Sequence, residues 1–310
     1  MRGVVVLCGG VGAARLLRGL VQVVPADELT AVVNVGDDVE LHGLHVSPDL
    51  DTITYTVGGA VSAERGWGLE GETWQAMDML RRLGGEAWFN LGDRDLGTHL
   101  YRTTRLGQGA PLSLVTAEVA AAWDLPLRLL PVTDGRLRTL VTTVDEGEIG
   151  FQEYFVRRQH DVAVTAVRFD GAEATEPAPG VIDALEEAER IVIAPSNPLV
   201  SVAPVLAVPG IRALLARRRD RVVAVSPIVG GRALKGPADR LLVELGHEPG
   251  VAGVAAYYRD VAGVLVMDHL DAELTPAVQA QGLRPVVGQT VMSGPPEARA
   301  LAELVLTPTP

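Results

Sequence analysis

The chain of 310 residues contains a single cysteine and a single lysine. One cysteine excludes a disulfide within the chain. Cys8 lies in the apolar run Val4–Cys8, where nothing nearby in the sequence would activate a thiolate, so we expect it to be a small core residue. Lys235 is the single lysine among 27 basic residues, and this Arg-, Ala- and Gly-rich composition indicates codon bias from a GC-rich genome.

Positive charge is scarce as well, because the formal net charge is −12 at pH 7. Proteins that bind a nucleic-acid backbone need a basic face to displace counterions, so we expect no nucleic-acid partner. A small anionic ligand is compatible with this charge only where local cations, backbone N–H groups or a bound metal reverse the field.

Long hydrophobic runs are absent from the sequence. No apolar run approaches the ~18 residues of a membrane helix, and the N-terminus lacks the basic, apolar and small-residue order of a signal peptide. We therefore expect a cytoplasmic protein with no membrane partner. With 47% hydrophobic residues, no internal repeat and no long linker, the sequence predicts one α/β domain over residues 1–310.

Short, β-branched apolar runs alternate with segments of helical periodicity. The predicted buried strands are Val4–Cys8, Thr30–Val35, Arg190–Ala194, Arg221–Ser226 and Gly263–Met267. The predicted helices are Gly12–Val24, Glu72–Leu83, Pro111–Trp123, Val181–Ala188, Pro209–Arg217 and Pro295–Leu304. This alternation predicts an α/β fold, a Rossmann-like and mostly parallel sheet flanked by helices.

Residues 137–180 have a different pattern. From Leu137 to Arg168 the sequence alternates around the turn Asp145–Gly147, which predicts an antiparallel β-hairpin added to the parallel core. The segment "DGAEATEPAPG" that follows is typical of a surface connection.

A glycine turn follows the first predicted strand. Gly9, Gly10 and Gly12 would let the backbone approach a ligand closely, and the N–H groups that open the helix at Ala13 would point at an anion. The turn is not a P-loop, because no Lys-Ser/Thr pair follows. Arg15 stands where the dinucleotide fingerprint has a small residue, and it could itself contact phosphate. The alternative is a tight turn without a ligand.

An acidic stretch follows the second predicted strand. Asp37 and Asp38 come directly after it, and Asp49 and Asp51 follow shortly. Ligands of open α/β sheets bind beyond the carboxyl ends of strands, so these carboxylates should lie near the glycine turn. They could hold a ribose hydroxyl or a divalent cation. The alternative is that Asp51 or Thr52 caps the next helix, which explains one carboxylate but not four.

A second acidic turn, in "LGDRDLGTH", precedes a predicted helix that carries His99 and Arg102. Asp93 or Asp95 could simply cap that helix and pair with Arg94 as surface charge.

Two further loops leave predicted strands with polar groups. Ser196 and Asn197 lie in the rigid segment "APSNPLVSVAP". The segment "SPIVGGRALKGPADR" is flexible and cationic, with Gly230, Gly231 and Lys235, and it suits a diphosphate. The sequence thus predicts anion-binding loops at three strand ends along one edge of the sheet.

Seven segments in this order resemble the 2-phospho-L-lactate transferase family of coenzyme F-420 biosynthesis, from Val4 to about Tyr258. They are "CGGVGAARLL", "NVGDD", "SPDLDT", "GWGLEGET", "LGDRDLGTH", "PSNPLVS" and "SPIVGGRALKGP". The resemblance implies transfer of a phospholactyl or phosphoenolpyruvyl group from a GDP-activated donor to the ribityl hydroxyl of the deazaflavin Fo (7,8-didemethyl-8-hydroxy-5-deazariboflavin), with release of GMP. It also implies a need for Mg²⁺ and a homodimer.

The resemblance implies site residues as well. Contacts to Fo fall on Asp51 and Asn90, with Asp93, Arg94 and His99 in the same site, and Asn90 stands where archaeal members are expected to have lysine. Mg²⁺ would be held by Asp37 and Asp51, and Asp51 could also orient or deprotonate the hydroxyl. The implied nucleotide-binding residues are Gly9, Gly10, Gly12, Ala13, Arg15, Ser196, Asn197, Ser226, Gly230, Gly231 and Lys235. Phosphoryl transfer relies on positioning and charge stabilisation, so it requires no covalent catalytic triad.

Two other functions compete with this interpretation. Related regulatory proteins with the same glycine-rich start bind nucleotide-sugars, but they should lack the "LGDRDLGTH" stretch. An NAD(P)-dependent oxidoreductase would use the first strand, turn and helix together with Asp37, and the missing third glycine counts against it. The sequence leaves the choice between a lactyl and an enolpyruvyl donor open, although a GC-rich bacterial chain favours the enolpyruvyl donor.

Overall fold

The computed structural model describes residues 3–307, and residues 1, 2 and 308–310 of the predicted domain lie outside this range. Its strands are β1 (Val4–Cys8), β2 (Leu29–Val33), β3 (Val39–Leu41), β4 (Leu44–Val46), β5 (Arg128–Pro131), β6 (Arg138–Thr143), β7 (Gly147–Gly150), β8 (Val164–Asp170), β9 (Arg190–Ile193), β10 (Val222–Val225), β11 (Ile228–Val229), β12 (Arg232–Ala233), β13 (Val264–Asp268) and β14 (Arg284–Gly288).

A seven-stranded sheet forms the centre of the described residues, in the order β14-β13-β10-β9-β1-β2-β5. All of its neighbouring strands pair in parallel. Cys8 lies level with Val33, and Leu7 with Ile193, so the loops after β1, β2 and β9 leave the sheet at one edge. The predicted fold class is confirmed.

Helices cover the faces of this sheet. They are α1 (Gly10–Leu20), α2 (Pro48–Val57), α3 (Gln75–Arg82), α4 (Asp95–Gly107), α5 (Leu112–Ala122), α6 (Val181–Glu187), α7 (Ala203–Ala207), α8 (Ile211–Arg217), α9 (Ala238–Glu244), α10 (Gly250–Tyr258), α11 (Thr275–Ala280) and α12 (Pro295–Leu306). Two short π-helical turns, Glu153–Arg157 and Pro198–Val202, interrupt the chain near strand ends. No single helix within residues 3–307 has both the length and the apolar composition to cross a membrane, although one bent pair, Pro198–Ala207 with Ile211–Arg217, passes that test when its two parts are joined.

The first strand and first helix lie deep in the core. Every residue of β1 is buried, as the unbroken apolar run predicts for a central parallel strand. Helix α1 packs against α2 and α12. The approach to α12 is close, because a Cβ on Gly19 would lie 2.1 Å from the carbonyl oxygen of Ala298. Only glycine fits at that contact.

The predicted hairpin forms, and β8 joins it. Strand β6 pairs antiparallel with both β7 and β8, which gives a small three-stranded sheet. The backbone N–H of Thr139 donates to the carbonyl of Gly36 at 2.7 Å. This bond fastens the small sheet to the loop that leaves β2.

Candidate active site

Three strand-end loops meet beside the start of α1. The N–H of Gly10 donates to Asp49 Oδ1 at 2.8 Å, and Asn34 Nδ2 donates to Asp49 Oδ2 at 3.0 Å. From the loop after β9, Ser196 Oγ donates to the carbonyl of Gly9 at 2.6 Å. The sequence expectation that the glycine turn and the acidic stretch are neighbours therefore holds, and Asp49 forms the link.

The glycine turn is packed against the loop after β9. A Cβ on Gly12 would lie 2.2 Å from the carbonyl oxygen of Pro195, and a Cβ on Gly9 would lie 2.7 Å from Cβ of Ser201. Gly10 has a φ of +70°, which disfavours other residues. Helix α1 begins at Gly10, before Ala13, so the first N–H of the helix is already bonded to a carboxylate.

Two cations from distant parts of the chain come together at Gly66. A Cβ on Gly66 would lie 3.3 Å from Lys235 Nζ and 3.8 Å from Arg15 Nη2. Partial burial, and then the nearby charge of Arg15, lower the pKa of Lys235. Two like charges held this close favour an anion that both can contact. The sequence predicted each cation separately, whereas the contribution of Gly66 was missed.

Other predicted nucleotide-binding groups make hydrogen bonds that shape the loops after β9 and β10. The backbone N–H of Ile228 donates to Ser226 Oγ at 3.1 Å. The N–H groups of Gly230 and Gly231 donate to Asp271 at 2.9 and 3.2 Å. Asn197 Oδ1 accepts from the N–H of Leu199 at 3.0 Å and caps the π-helical turn Pro198–Val202.

Asp37, Asp38 and Asp49 form a first group of carboxylates. Burial and the neighbouring charge of Asp49 raise the pKa of Asp37, and burial raises the pKa of Asp49 to about 7. Asp38 Oδ2 lies 3.0 Å from His45 Nε2 and accepts from Ser47 Oγ at 2.7 Å. Oδ1 of Asp37 and Oδ1 of Asp38 are buried without a hydrogen-bond partner among residues 3–307. Such oxygens favour a cation or a hydroxyl.

Asp51 belongs to a second group. It lies in α2, and both of its carboxylate oxygens bond to the buried guanidinium of Arg102. His99 Nδ1 is 3.7 Å from Asp51, and His99 Nε2 is 3.4 Å from Asp95, which accepts from Tyr55 Oη at 2.5 Å. Burial raises the pKa of Asp51, although the charge of Arg102 opposes this shift. The structure thus brings Asp51 to His99, and no contact joins Asp51 to Asp37 among those described.

The helix caps that the sequence predicted for these carboxylates do not form. The residue before α2 is Ser47, so the alternative in which Asp51 or Thr52 is the N-cap is wrong. Asp93 does not cap the helix that follows it either. Its carboxylate accepts from the N–H groups of Gln75 and Ala76 at 2.9 and 3.0 Å, and so caps α3.

Asn90 and Arg94 have partners in the same surface region. Asn90 Oδ1 accepts from Arg81 Nη2 at 2.8 Å, and the Arg94 guanidinium donates to the carbonyl of Glu70. The N–H of Arg94 donates to Glu72 at 2.8 Å. The first bond ties α3 to the segment before α4, and the bonds of Arg94 tie that segment to the chain that precedes α3. Sequence reasoning missed the role of Glu72, and only its place in "GWGLEGET" pointed to it.

Metal-ligating side chains converge in one place. Within residues 3–307, Asp51, Asp95 and His99 are the one group of three or more whose ligand atoms all lie within 4.8 Å of one another. Arg102 already neutralises Asp51 there, which weakens the group as a cation site.

Comparison with known proteins identifies relatives over nearly the whole chain. A family model described as 2-phospho-L-lactate transferase CofD matches residues 4–293. A phosphoenolpyruvate transferase of Streptomyces griseus is 46% identical over 288 residues, which are 91% of this chain and 90% of the relative. A phosphoenolpyruvate transferase of Streptomyces avermitilis is 44% identical and covers 98% of this chain and 99% of its own. A phosphoenolpyruvate transferase of Mycobacterium bovis is 46% identical, and the match covers 84% of this chain and 86% of the relative.

A solved structure supports the fold. A upf0052-family protein of Bacillus halodurans superimposes with a TM-score of 0.67, at 17% sequence identity and over 99% of each chain. At this identity the likeness shows a shared architecture alone.

Proposed function

Because the chain belongs to the 2-phospho-L-lactate transferase family, we propose that it transfers a phosphoenolpyruvyl or phospholactyl group from a GDP-activated donor to the ribityl hydroxyl of Fo. The hydroxyl oxygen loses its proton and forms a bond to the phosphorus that bears the three-carbon acid, and the bond from that phosphorus to the bridging oxygen breaks. GMP leaves, and coenzyme F-420-0 or its dehydro form is the product. The names of the relatives favour the phosphoenolpyruvyl donor.

The observation that carries this proposal is the division of charge at one edge of the sheet. Arg15 and Lys235 meet at Gly66 and form a cationic side, whereas Asp37, Asp38 and Asp49 form an acidic side. The glycine turn lies between them, since Gly10 bonds to Asp49 and Arg15 follows in the same helix. An anionic diphosphate suits the first side and a neutral polyol suits the second.

Mg²⁺ fits the acidic side in part. Within residues 3–307, Oδ1 of Asp37 and Oδ1 of Asp38 are buried without a hydrogen-bond partner, and Mg²⁺ prefers oxygen ligands. We propose Asp37 as a ligand, and Asp51 as a second ligand that would have to exchange its bonds to Arg102. Bound there, Mg²⁺ would offset the charge of the diphosphate. If Asp51 instead keeps its contacts with Arg102 and His99, it would orient the incoming hydroxyl.

Ligand binding tests the donor side. We expect GDP to raise the melting temperature and NADH to leave it unchanged. Lys235→Ala should weaken GDP binding about tenfold in a calorimetric titration, because one charge-assisted contact is lost. Arg232→Ala is the matched control, an exposed cation in the same loop that should keep wild-type affinity. Equal GDP affinity in Lys235→Ala and the wild type would remove Lys235 from the site.

Product analysis tests the reaction itself. The protein is incubated with Fo, Mg²⁺ and each of the two donors, and the products are separated by mass spectrometry. The two products differ by two hydrogens, so one spectrum identifies the donor. Failure to form either product with a folded, GDP-binding protein would overturn the proposed activity.

A further inference from the structure

The turn that joins β11 to β12 is bonded to a carboxylate from a later part of the chain. Gly230 and Gly231 form this turn, with φ of +57° and +77°, as a two-residue hairpin turn requires. Their N–H groups donate to Asp271, at 2.9 Å to Oδ2 and at 3.2 Å to Oδ1. Successive N–H groups in a turn form a concave anion site, and here a side chain of the protein itself occupies it.

Asp271 is held firmly on its own side of this contact. It is 3% exposed and lies in the short helical turn His269–Leu274 that follows β13. Asp268, the last residue of β13, caps this turn, because its Oδ1 accepts from the N–H of Leu270 at 3.1 Å. Oδ2 of Asp268 accepts from the N–H of Thr290 at 2.9 Å, in the loop after β14. Asp271 is therefore fixed to the main sheet.

The hairpin depends on this contact at its tip. Strands β11 and β12 pair over two residues each, and so short a hairpin is not stable by itself. Its base is anchored in the core, since the N–H of Ser226 donates to the carbonyl of Val266 at 2.9 Å. Gly230, Gly231 and Arg232 are exposed at the tip, where the bonds to Asp271 hold the backbone.

The path of the hairpin determines where Lys235 lies, because Lys235 follows β12 by two residues. Its Nζ and Nη2 of Arg15 are both within 4 Å of the position of a Cβ on Gly66. Within residues 3–307, no hydrogen bond or ion pair involves the Lys235 ammonium. Since the like charge of Arg15 repels it, the backbone must hold Lys235 in this place.

We propose that Asp271 is a positioning residue, which holds the Gly230–Gly231 turn and so keeps Lys235 beside Arg15, where both cations contact the anionic donor. The inference rests on the proposed function, because it assigns Asp271 a role toward the donor of that reaction. Asp271 acts through the turn, since both of its oxygens accept hydrogen bonds from it.

The single lysine of the chain provides a direct probe of this position. Protein labelled with ¹³C at the lysine ε-carbon has one such NMR signal, and a pH titration of that signal gives the pKa of Lys235. Partial burial and the charge of Arg15 lower this pKa. Asp271→Asn places an NH₂ group against one of the two N–H donors, so the turn should be released and the pKa of Lys235 should rise. Loss of a negative charge alone would lower the pKa of a nearby lysine, so the sign separates the two effects.

Two variants calibrate the titration. Arg15→Met removes the neighbouring charge directly and should also raise the pKa of Lys235. Asp134→Asn is the matched control, because Asp134 likewise accepts from a backbone N–H, that of Ser113 at 2.6 Å, but follows β5 at the opposite edge of the sheet from β14. It should leave the pKa of Lys235 and the affinity for GDP as in the wild type.

Calorimetric titration with GDP connects the position of Lys235 to the donor. Asp271→Asn should weaken GDP binding about tenfold, as expected for Lys235→Ala. The double variant should bind GDP no more weakly than Lys235→Ala, because both changes remove the same contact. Independent contributions would instead multiply to a loss of about a hundredfold.

A second variant disturbs the turn from the other side without a change of charge. Gly231→Val introduces a β-branched residue at positive φ, and it should raise the pKa of Lys235 and weaken GDP binding about tenfold. Gly246→Val is its matched control, with the same φ of +77°. At both positions, no other described part of the chain lies within 4 Å of the added Cβ. Gly246→Val should keep the wild-type values.

The outcomes separate this inference from the proposed function. If the wild type binds GDP, but the pKa of Lys235 does not rise or GDP affinity is kept in Asp271→Asn and Gly231→Val, the inference is overturned and the proposed function stands. A hundredfold loss in the double variant would overturn it as well. If the wild type does not bind GDP, the proposed function fails, and the role of Asp271 toward the donor fails with it.

Discussion

At the scale of single residues, the pair of Asp51 and Arg102 is held almost entirely out of water. Their side chains are 7% and 3% exposed, and the guanidinium bonds to both carboxylate oxygens. His99 and the backbone of His45 lie beside the same guanidinium. A buried pair of this kind contributes little net stability over an apolar pair, but breaking it leaves a charge without compensation.

Replacement of Arg102 by leucine should therefore destabilise the fold by about 3–5 kcal/mol, because Asp51 would remain buried and unpaired. The measurement is urea unfolding at neutral pH. Arg105→Leu provides the control on the same helix, since its partner Glu118 is partly exposed and its loss should matter less. A similar loss of stability in both variants would show that breaking the buried Asp51–Arg102 pair costs no more than breaking the partly exposed Glu118–Arg105 pair.

Cys8 offers a second prediction at this scale. Burial, and then the charge of Asp49, raise the pKa of its thiol, and the thiol donates to the carbonyl of Val6. Since the thiolate is the reactive form, alkylation by iodoacetamide at pH 8 should be slow in the folded protein and fast in urea. Rapid labelling of the native protein, followed by mass spectrometry, would contradict this position for Cys8.

At the scale of elements, glycine sets how closely helices approach. Gly19→Ala should destabilise the protein by about 1–3 kcal/mol, because its Cβ would meet the backbone of Ala298 at 2.1 Å and push α12 off α1. Gly97→Ala is the matched control in α4, where no other described part of the chain lies within 4 Å of the added Cβ, and it should stabilise by about 0.5–1 kcal/mol. Thermal unfolding of both variants checks the sign of each change.

The sequence predicted the central elements well, because burial makes their patterns strong. Val4–Cys8 was predicted to the residue, and Arg190–Ala194 to within one residue. The edge strands Arg128–Pro131 and Arg284–Gly288 were missed, since each contains a proline and carries arginine at its start. Patterns at sheet edges are weaker because one side of the strand faces no neighbour.

The residue types of the candidate site could be predicted from the sequence, but the pairing of its side chains could not. The sequence indicated that Asp37 lies at a strand end, and the glycine turn is bonded to its neighbour Asp49. It gave no sign that Arg102 would bind Asp51, because 51 positions separate them. Side-chain pairing between distant helices depends on tertiary packing, which periodicity does not encode.

At the scale of the whole molecule, several large apolar side chains stay in water in the single chain. Leu83 is 76% exposed, Leu100 55% and Leu114 46%. Burial of such groups lowers the free energy of association, and the family resemblance implies a homodimer. Light scattering after size-exclusion chromatography should therefore give twice the mass of one chain. The mass of one chain at every concentration tested would rule out a stable dimer.

Strand β1 lies between β2 and β9 in the sheet. Its partner Arg190–Ile193 is made much later than β1, because residues 9–189 lie between the two strands. Until then, the fully apolar segment Val4–Cys8 has one edge without a strand to pair with. The nascent chain therefore has a long aggregation-prone interval during synthesis, and fragments that end before residue 190 should be insoluble.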